Sequence, residues 1–376
     1  MTKLEGLLIA RARAKCNWSQ LGLCKGICTV SYLSKIEQGK ADPSREVLRL
    51  LFERLGILWH TAEQLPFGQE HFDTLYETLF AMENLREAFA PLLPHREHYL
   101  ASPFLIDYVL LAQACNLETD YDLAPFLPAL SSRQYALYLY LTDDFDSLLL
   151  HGRNAFYLCQ VGCDAYRKGA YDHAVQLLTR AYSAASEEGL VHVMLLCKAN
   201  LGNCYSDSHQ PEQMKEQYTV ALRLAKAVGD TQTAASIHYN LAATALEAGQ
   251  IDEAYALLRA HPQDTLLYWH KLAICHEKRG QRDAALECLR RAETAPNDWP
   301  EQTALLLRMC QIVRLRLMTE NYLKDERYGA ALQAVFAELR KNMPMGFARF
   351  HLPEMLKYLK ANRQWRQACE LIEEFS

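Results

Sequence analysis

Turn formers are scarce in this chain of 376 residues: 16 glycines and 13 prolines, together under 8%. A β-rich fold needs a turn every 8–12 residues, so that scarcity disfavours one. No apolar run approaches the roughly 18 residues a membrane span requires. The opening Met1-Thr2-Lys3-Leu4-Glu5 places a charge inside what would be the apolar stretch of a secretory leader, with Arg11 and Arg13 close behind. Enzyme signatures are missing as well: no phosphate-binding loop, GxGxxG, HExxH or GxSxG occurs, and the histidines are scattered, His209 and His261 near prolines. No catalytic residue, cofactor or metal is expected. The twelve cysteines show no compact spacing framework, so a cytoplasmic chain with free thiols is the simplest context. Cys24/Cys28 and Cys159/Cys163 lie four apart, but zinc would need two more ligands beside either pair. Structural buried thiols are the first reading; a thiol or metal sensor is the alternative.

What is present is leucine, alanine and ordinary charge: 50% hydrophobic and 23% charged residues, the mix of a soluble globular protein. Leu and Ala are strong helix formers, and the chain reads as all-α. Its length suits two or three domains. The net charge of −5 hides an asymmetry. Residues 1–65 hold ten basic against six acidic residues, while the remainder holds 30 against 39. Only the basic head is suited to meet a polyanion.

The head divides into short helices. Leu4, Leu7, Leu8 and Ala12 give an amphipathic first helix ending near Lys15-Cys16-Asn17. Ser19 caps a second, Gln20 to about Lys25, and Gly26 permits a tight turn. Thr29 caps a third, Val30–Gln38, closed by Gly39. Asp42-Pro43-Ser44 opens a fourth with Val47, Leu48, Leu51 and Leu55 on its face, and a short fifth is expected over 58–65. Leu23, Ile27, Leu33 and Ile36 then face inward, and Cys24 supplies a small side chain at a helix crossing. Outward on helix three stand Val30, Ser31, Tyr32, Ser34 and Lys35, the short or flexible groups a recognition helix offers to base edges, with the cap Thr29 counted beside them as a DNA-binding residue. Gln20 and Lys40 are placed for phosphate contacts.

The run Gly26-Ile27-Cys28-Thr29-Val30-Ser31-Tyr32-Leu33-Ser34-Lys35-Ile36-Glu37-Gln38-Gly39-Lys40, with Ser19-Gln20 before it, resembles a Cro/phage-repressor-type helix-turn-helix. It is especially similar to the version in Gram-positive peptide-pheromone receptor regulators of the Rgg, NprR, PlcR and PrgX type. The resemblance covers about residues 4–65. Leu21-Gly22 departs from the acidic or polar helix formers usual there, and Gly22 weakens helix two by roughly 0.5–1 kcal/mol relative to Ala.

Residues 66–70 read as a hinge and 71–150 as divergent helical pairs broken at Pro91, Pro94, Pro103, Pro125 and Pro128. From about 151 to the last residue a repeat emerges, with small residues at Gly162, Gly202, Ala242 and Ala273, spaced 40, 40 and 31 apart. Each is followed by a turn and a recurring Ala, the tetratricopeptide pattern. Weaker copies fall at 304–340 and 349–371, the last expected to cap the stack. Such pairs bury their apolar faces only on one another, so a right-handed superhelix with a concave groove is expected. The register places Phe156, Cys159, Cys163, Tyr166 and Arg167 on that wall, then Asn200, Asn203 and Asp207, then Tyr239, Asn240 and Glu247, then His270 and Glu277. Asparagine amides there suit an extended peptide, donating to a C=O and accepting from an N–H; Arg167 suits a ligand carboxylate.

A helix-turn-helix on tetratricopeptide repeats is the layout of the regulators named above. The resemblance implies a cytosolic, non-enzymatic transcription factor binding a short linear signalling peptide in the groove and a double-stranded DNA operator as a homodimer, with no membrane partner. A body that docks a folded protein instead is a further alternative.

Overall fold

A computed structural model of the chain describes residues 3–297 and 299–375. Every regular element among them is helical, and the chain forms two compact units that meet at Leu158/Cys159.

The first unit opens with α1 (Lys3–Lys15), α2 (Gln20–Cys24), α3 (Val30–Glu37) and α4 (Arg45–Leu55). Side chains start the last three. Ser19 Oγ accepts from the Gly22 amide at 3.0 Å, Thr29 Oγ1 from Tyr32 at 3.2 Å, and Ser44 Oγ from Val47 at 3.3 Å. Their core is Ile9, Leu23, Cys24, Leu33, Ile36, Leu48, Leu51 and Phe52, with Ile27, Val47 and Leu55 packed against it. A Cβ at Gly6 would run into the carbonyl of Ile36, so only glycine lets α1 cross the end of α3 this closely.

The fifth helix expected over 58–65 shrinks to one 3₁₀ turn, Ala62–Gln64, boxed by Thr61 and Gln64. The residues before it are extended because their groups are spent elsewhere. Trp59 lies on Phe52 with ring centroids 5.1 Å apart, and the His60 amide donates to Ala101 O at 2.8 Å. Within 66–70, the amide of Phe67 donates to the Tyr99 hydroxyl at 3.1 Å. The rest of this unit is α5 (Gln69–Phe80), α6 (Leu85–Phe89), α7 (Arg96–Leu100), α8 (Leu105–Ala114), α9 (Ser132–Leu141) and α10 (Phe145–His151). The prolines at 91, 94, 125 and 128 sit in 3₁₀ turns between these short helices. Buried Asp107 accepts from Tyr76 at 2.9 Å and from Gln134 at 2.8 Å, which satisfies a carboxylate inside an otherwise apolar core.

The second unit is a run of helix pairs: α11 (Ala155–Arg167) with α12 (Tyr171–Glu188), α13 (Val191–Asp207) with α14 (Pro211–Val228), α15 (Thr231–Glu247) with α16 (Ile251–Ala260), α17 (Leu266–Lys278) with α18 (Arg282–Ala292), α19 (Thr303–Met318) with α20 (Glu326–Asn342), and α21 (Met345–Ala361) with α22 (Trp365–Phe375). α11 carries the boundary between units. Both weak sequence copies are thus helix pairs. The small positions mark helix crossings: a Cβ at Gly162 would sit 2.8 Å from Leu178, one at Gly202 would strike the Tyr218 ring, and Ala242 and Ala273 are fully buried. First helices of successive pairs touch one another (α13 on α15, α15 on α17, α17 on α19), as a tetratricopeptide-like stack requires. One contact is long-range. α21 reaches back to α13, which brings the sixth pair against the second.

Candidate functional site

In the head, α3 presents Thr29, Val30, Ser31 and Lys35 as exposed residues, with Tyr32 and Ser34 half-buried. Tyr32 donates its hydroxyl to Asp42 O at 3.1 Å, Ser34 Oγ accepts from Gln38 at 3.1 Å, and Lys40 Nζ donates to Gln38 at 2.8 Å. Gln20 is more constrained than its spacing suggested. Its amide donates to Glu37 Oε2 at 2.7 Å, while Arg13 donates to the same carboxylate at 2.6 and 3.0 Å and to Trp18 O at 2.9 Å. Helices α1, α2 and α3 are therefore locked through a single carboxylate, which aims α3 as a rigid edge.

The second unit encloses a cavity of about 560 Å³ bounded by α11, α13, α15, α17 and the start of α21. Cys163, Tyr166, Arg167, Asn200, Asn203, Tyr239 and Asn240 line it, joined by Leu196, Leu267, Trp299 and Phe347. A deeper chamber of about 110 Å³ shares Tyr166, Asn203, Tyr239 and Asn240 and adds Ser206, Asp207, Glu247, Lys271 and His351. The amides form one network: Asn240 Nδ2 donates to Asn203 Oδ1 at 2.9 Å, Tyr218 donates to the same oxygen at 2.7 Å, and Asn200 donates to Leu196 O at 3.0 Å. A volume in this range is ordinary for a ligand site with an apolar wall and a few fixed polar groups.

Four of the expected wall residues stand elsewhere, Cys159 among them, fully buried on α11 and lining neither cavity. Phe156 is buried in the first unit among Phe80, Tyr140 and Tyr157, because α11 begins inside that aromatic cluster. His270 is fully buried one residue from the chamber's Lys271, since α17 is apolar nearly all round and turns His270 inward. Glu277 is held in a bidentate ion pair by Arg316 of α19 at 2.7 and 2.6 Å. Arg167 is solvent-exposed at the rim and pairs with Asp164 at 3.4 Å. Sequence reasoning missed Lys271, Trp299, Phe347 and Phe350. Three lie outside the repeat positions that face inward, and Lys271 is a cation on an apolar helix, whose side chain lies over the Phe350 ring.

Charge is stored in the chamber at a cost. Burial pushes Asp207 up to about 6, against the Tyr171 hydroxyl at 3.1 Å and the charge of Arg349. Burial likewise pushes Glu247 up and Lys271 down. Ionisable groups whose charge is opposed by burial against a cavity mark a candidate binding site. An unfolded Asp titrates near 4, so between about pH 4 and 6 the folded state binds more protons and stability falls as pH rises. Asp207→Asn is expected to remove that slope and to raise the melting temperature at pH 7.5 by a few degrees while leaving it unchanged near pH 4. Parallel melting curves for the two proteins across pH 4–7.5 would contradict it.

The Cys159/Cys163 pair points away from sensing. Cys163, half-buried, is pushed well above the usual thiol range by its hydrogen bond with Cys159 and by desolvation. Cys159 is also raised, the bond from Cys163 being outweighed by Cys197 and burial. A thiol kept protonated is a poor nucleophile and a poor metal ligand. Among the described residues no group of three or more His, Cys, Asp or Glu is placed to hold a metal ion.

Comparison with known proteins agrees on the head. The helix-turn-helix family profile matches residues 9–58. A curated relative, the "Transcriptional activator NprA" of Geobacillus stearothermophilus, is 23% identical over 267 residues, which is 58% of this chain and 62% of that protein. This chain therefore matches less than two thirds of its relative's length. Two solved structures overlap nearly all of the chain: a Rap protein complexed with competence and sporulation factor (12% identity, 98% of this chain and 96% of that one, TM-score 0.47) and the Rap conjugation gene regulator of plasmid pLS20 with the Phr* peptide (12%, 100% and 97%, TM-score 0.47). Bacillus thuringiensis PlcR in complex with the peptide PapR7 and DNA aligns at 14% identity over 84% of this chain and 99% of that one, TM-score 0.23. At those scores the likenesses carry no argument about function. Residues 9–58, with capped helices and a short exposed α3, are similar to the helix-turn-helix family in both sequence profile and local structure.

Proposed function

We propose that this chain is a cytosolic DNA-binding transcriptional regulator, not an enzyme, whose helical body takes a short linear signalling peptide and which acts on its operator as a homodimer. The observation that carries the reading is the cavity beneath α21, where Asn200, Asn203 and Asn240 stand beside Tyr239, Trp299 and Phe347. Side-chain amides can clamp an extended backbone while the aromatic wall takes apolar side chains. A peptide can move the heads only if it binds one body conformation more tightly than another; a 1.4 kcal/mol preference gives about tenfold. The contact of α21 with α13 supplies an element that an occupant would bias.

The head reads DNA through Val30, Ser31, Tyr32, Ser34 and Lys35, with Gln20, Thr29 and Lys40 toward the backbone. Two heads on one duplex need half-sites about one helical turn, or a multiple, apart. Ser31→Ala and Lys35→Ala are each expected to weaken operator binding by about 1–3 kcal/mol, while Lys40→Ala weakens all sequences alike. Fluorescence anisotropy on a selected operator and on random DNA, at one salt concentration, makes the comparison; equal losses on both for Lys35→Ala remove its base-reading role.

The ligand is tested by selecting binders from a displayed library of random linear heptapeptides and measuring the best by calorimetry. Asn200→Ala and Asn240→Ala are expected to abolish that binding and leave basal DNA binding intact. A library that yields no binder competing at these residues defeats the peptide reading without touching the DNA reading.

A further inference from the structure

The small chamber behind the groove holds polar groups that the chain itself leaves unsatisfied. Lys271 and Glu247 both line it, yet among the described residues neither makes a hydrogen bond or an ion pair. Each still feels the other's charge, so the two stand across a gap too wide for direct contact. His351 lines the same space, is 5% exposed, and its buried Nε2 has no partner. The ring of His270, 6.0 Å from it, has neither nitrogen paired. Burial and the charges of Lys271 and Arg316 push His351 down to about 3, so its imidazole is neutral and can donate or accept. Buried polar groups are seldom left unmade, and several around one cavity point to an occupant.

The sum of charge selects the class of that occupant. Asp207 and Glu247 supply two negative charges; Lys271 and the neighbouring Arg349, whose field reaches both acids, supply two positive ones. A proton passed from Lys271 to Glu247 leaves that sum unchanged. A guest cation meets Lys271 and Arg349, a guest anion meets the two carboxylates, and either is buried without a net counter-charge. A neutral group fits, provided that it accepts from Lys271 and donates to Glu247. At about 110 Å³ the chamber has the volume of roughly four liquid waters, room for the end of one side chain and not for a strand of backbone. A primary carboxamide meets these conditions. Its oxygen accepts and its nitrogen donates twice, on separate atoms that reach both sides of the gap, as a single hydroxyl oxygen does not. The second N–H is left for His351 Nε2.

We infer that the chamber is a specificity pocket for the carboxamide of an asparagine or glutamine side chain, its oxygen on Lys271 and its nitrogen on Glu247. The inference rests on the peptide of the proposed function. With the peptide backbone along the asparagines, one side chain enters the chamber past the residues the two spaces share, Asn203, Tyr239 and Asn240.

The test uses the full chain and the best groove-binding heptapeptide from the displayed library, remade with Gln, Glu, Lys or Leu at each position in turn and measured by calorimetry. At one position Gln is expected to bind about tenfold or more tighter than Glu, Lys or Leu, because each of those leaves a buried partner unmade or a charge unbalanced. Two variants then move the preference. Lys271→Met leaves an excess negative charge and is expected to favour Lys at that position; Glu247→Gln leaves an excess positive charge and is expected to favour Glu. A damaged fold weakens every peptide alike and cannot exchange one preference for another. Peptides whose binding needs Asn200 and Asn240 but which show no such position, or a preference that ignores both variants, overturn the chamber's role and leave the peptide reading standing. If no linear peptide binds the groove, both fall.

Discussion

Replacing Glu277 with alanine is expected to cost the second unit about 3–5 kcal/mol, the largest loss foreseen for any single truncation here. The carboxylate and Arg316 are both mostly shielded from solvent and bound through two parallel N–H···O contacts at 2.7 and 2.6 Å. Truncating the acid strands a guanidinium among α17, α19 and α21, near Glu354 and Tyr328. The penalty comes from that unpaired charge rather than from the worth of the pair itself. Replacing both partners by apolar residues of similar volume is therefore expected to recover most of the loss. Denaturant unfolding of Glu277→Leu, Arg316→Met and the double variant makes the cycle, with Glu277→Ala measured beside them. Additive losses, with the double variant as weak as the sum of the singles, would sink the account. The same cycle separates the two readings of Glu277, because a ligand contact would leave stability untouched.

The second large effect is in the head. Gly6→Val is expected to destabilise the helix-turn-helix by about 3 kcal/mol or more and to cost operator affinity, since the atom a new side chain meets is the Ile36 backbone carbonyl. A flexible side chain could swing aside; a carbonyl at the end of α3 moves only if α3 moves. The displacement would tilt Ser31 and Lys35 and strain the Arg13–Glu37–Gln20 link. Gly22→Ala is the control. Gly22 is exposed, and the atoms nearest a Cβ there are the side chains of Ser19 and Trp18, the closest at 3.3 Å. A gain in helix propensity with DNA binding retained is the expected outcome. Operator binding by Gly6→Val at wild-type strength would remove the close crossing from the argument.

These cases show where sequence reasoning reaches. Ser19 and Thr29 announced their helices because a cap acts on an amide two or three residues away, whereas the fourth helix was announced by Pro43 and its cap proved to be Ser44. Gly162, Gly202, Ala242 and Ala273 announced the crossings because each recurs at a repeat spacing. The expected fifth helix failed at 58–61, where local pattern lost to Trp59 on Phe52 and His60 on Ala101, a partner forty-one residues away. Phe156 and His270 failed for a related reason: a periodic register tells which side of a helix faces its neighbours but not which neighbour arrives. Gly6 gave no signal, since one small residue in a short helix has no repeat to compare it with.

The amino-acid order by itself determined the helical class, the capped helices of the head, the succession of paired helices behind it and the amide-bearing line of Asn200, Asn203 and Asn240. All of these follow from interactions within a turn or two, or from a period that can be counted. Only the tertiary structure decided that α21 returns to α13, that Phe347 and Trp299 wall a cavity over those amides, and that Glu277 serves Arg316 instead of a ligand. Small rotations between successive helix pairs add up over some 150 residues before the sixth pair meets the second, and no local pattern records their sum.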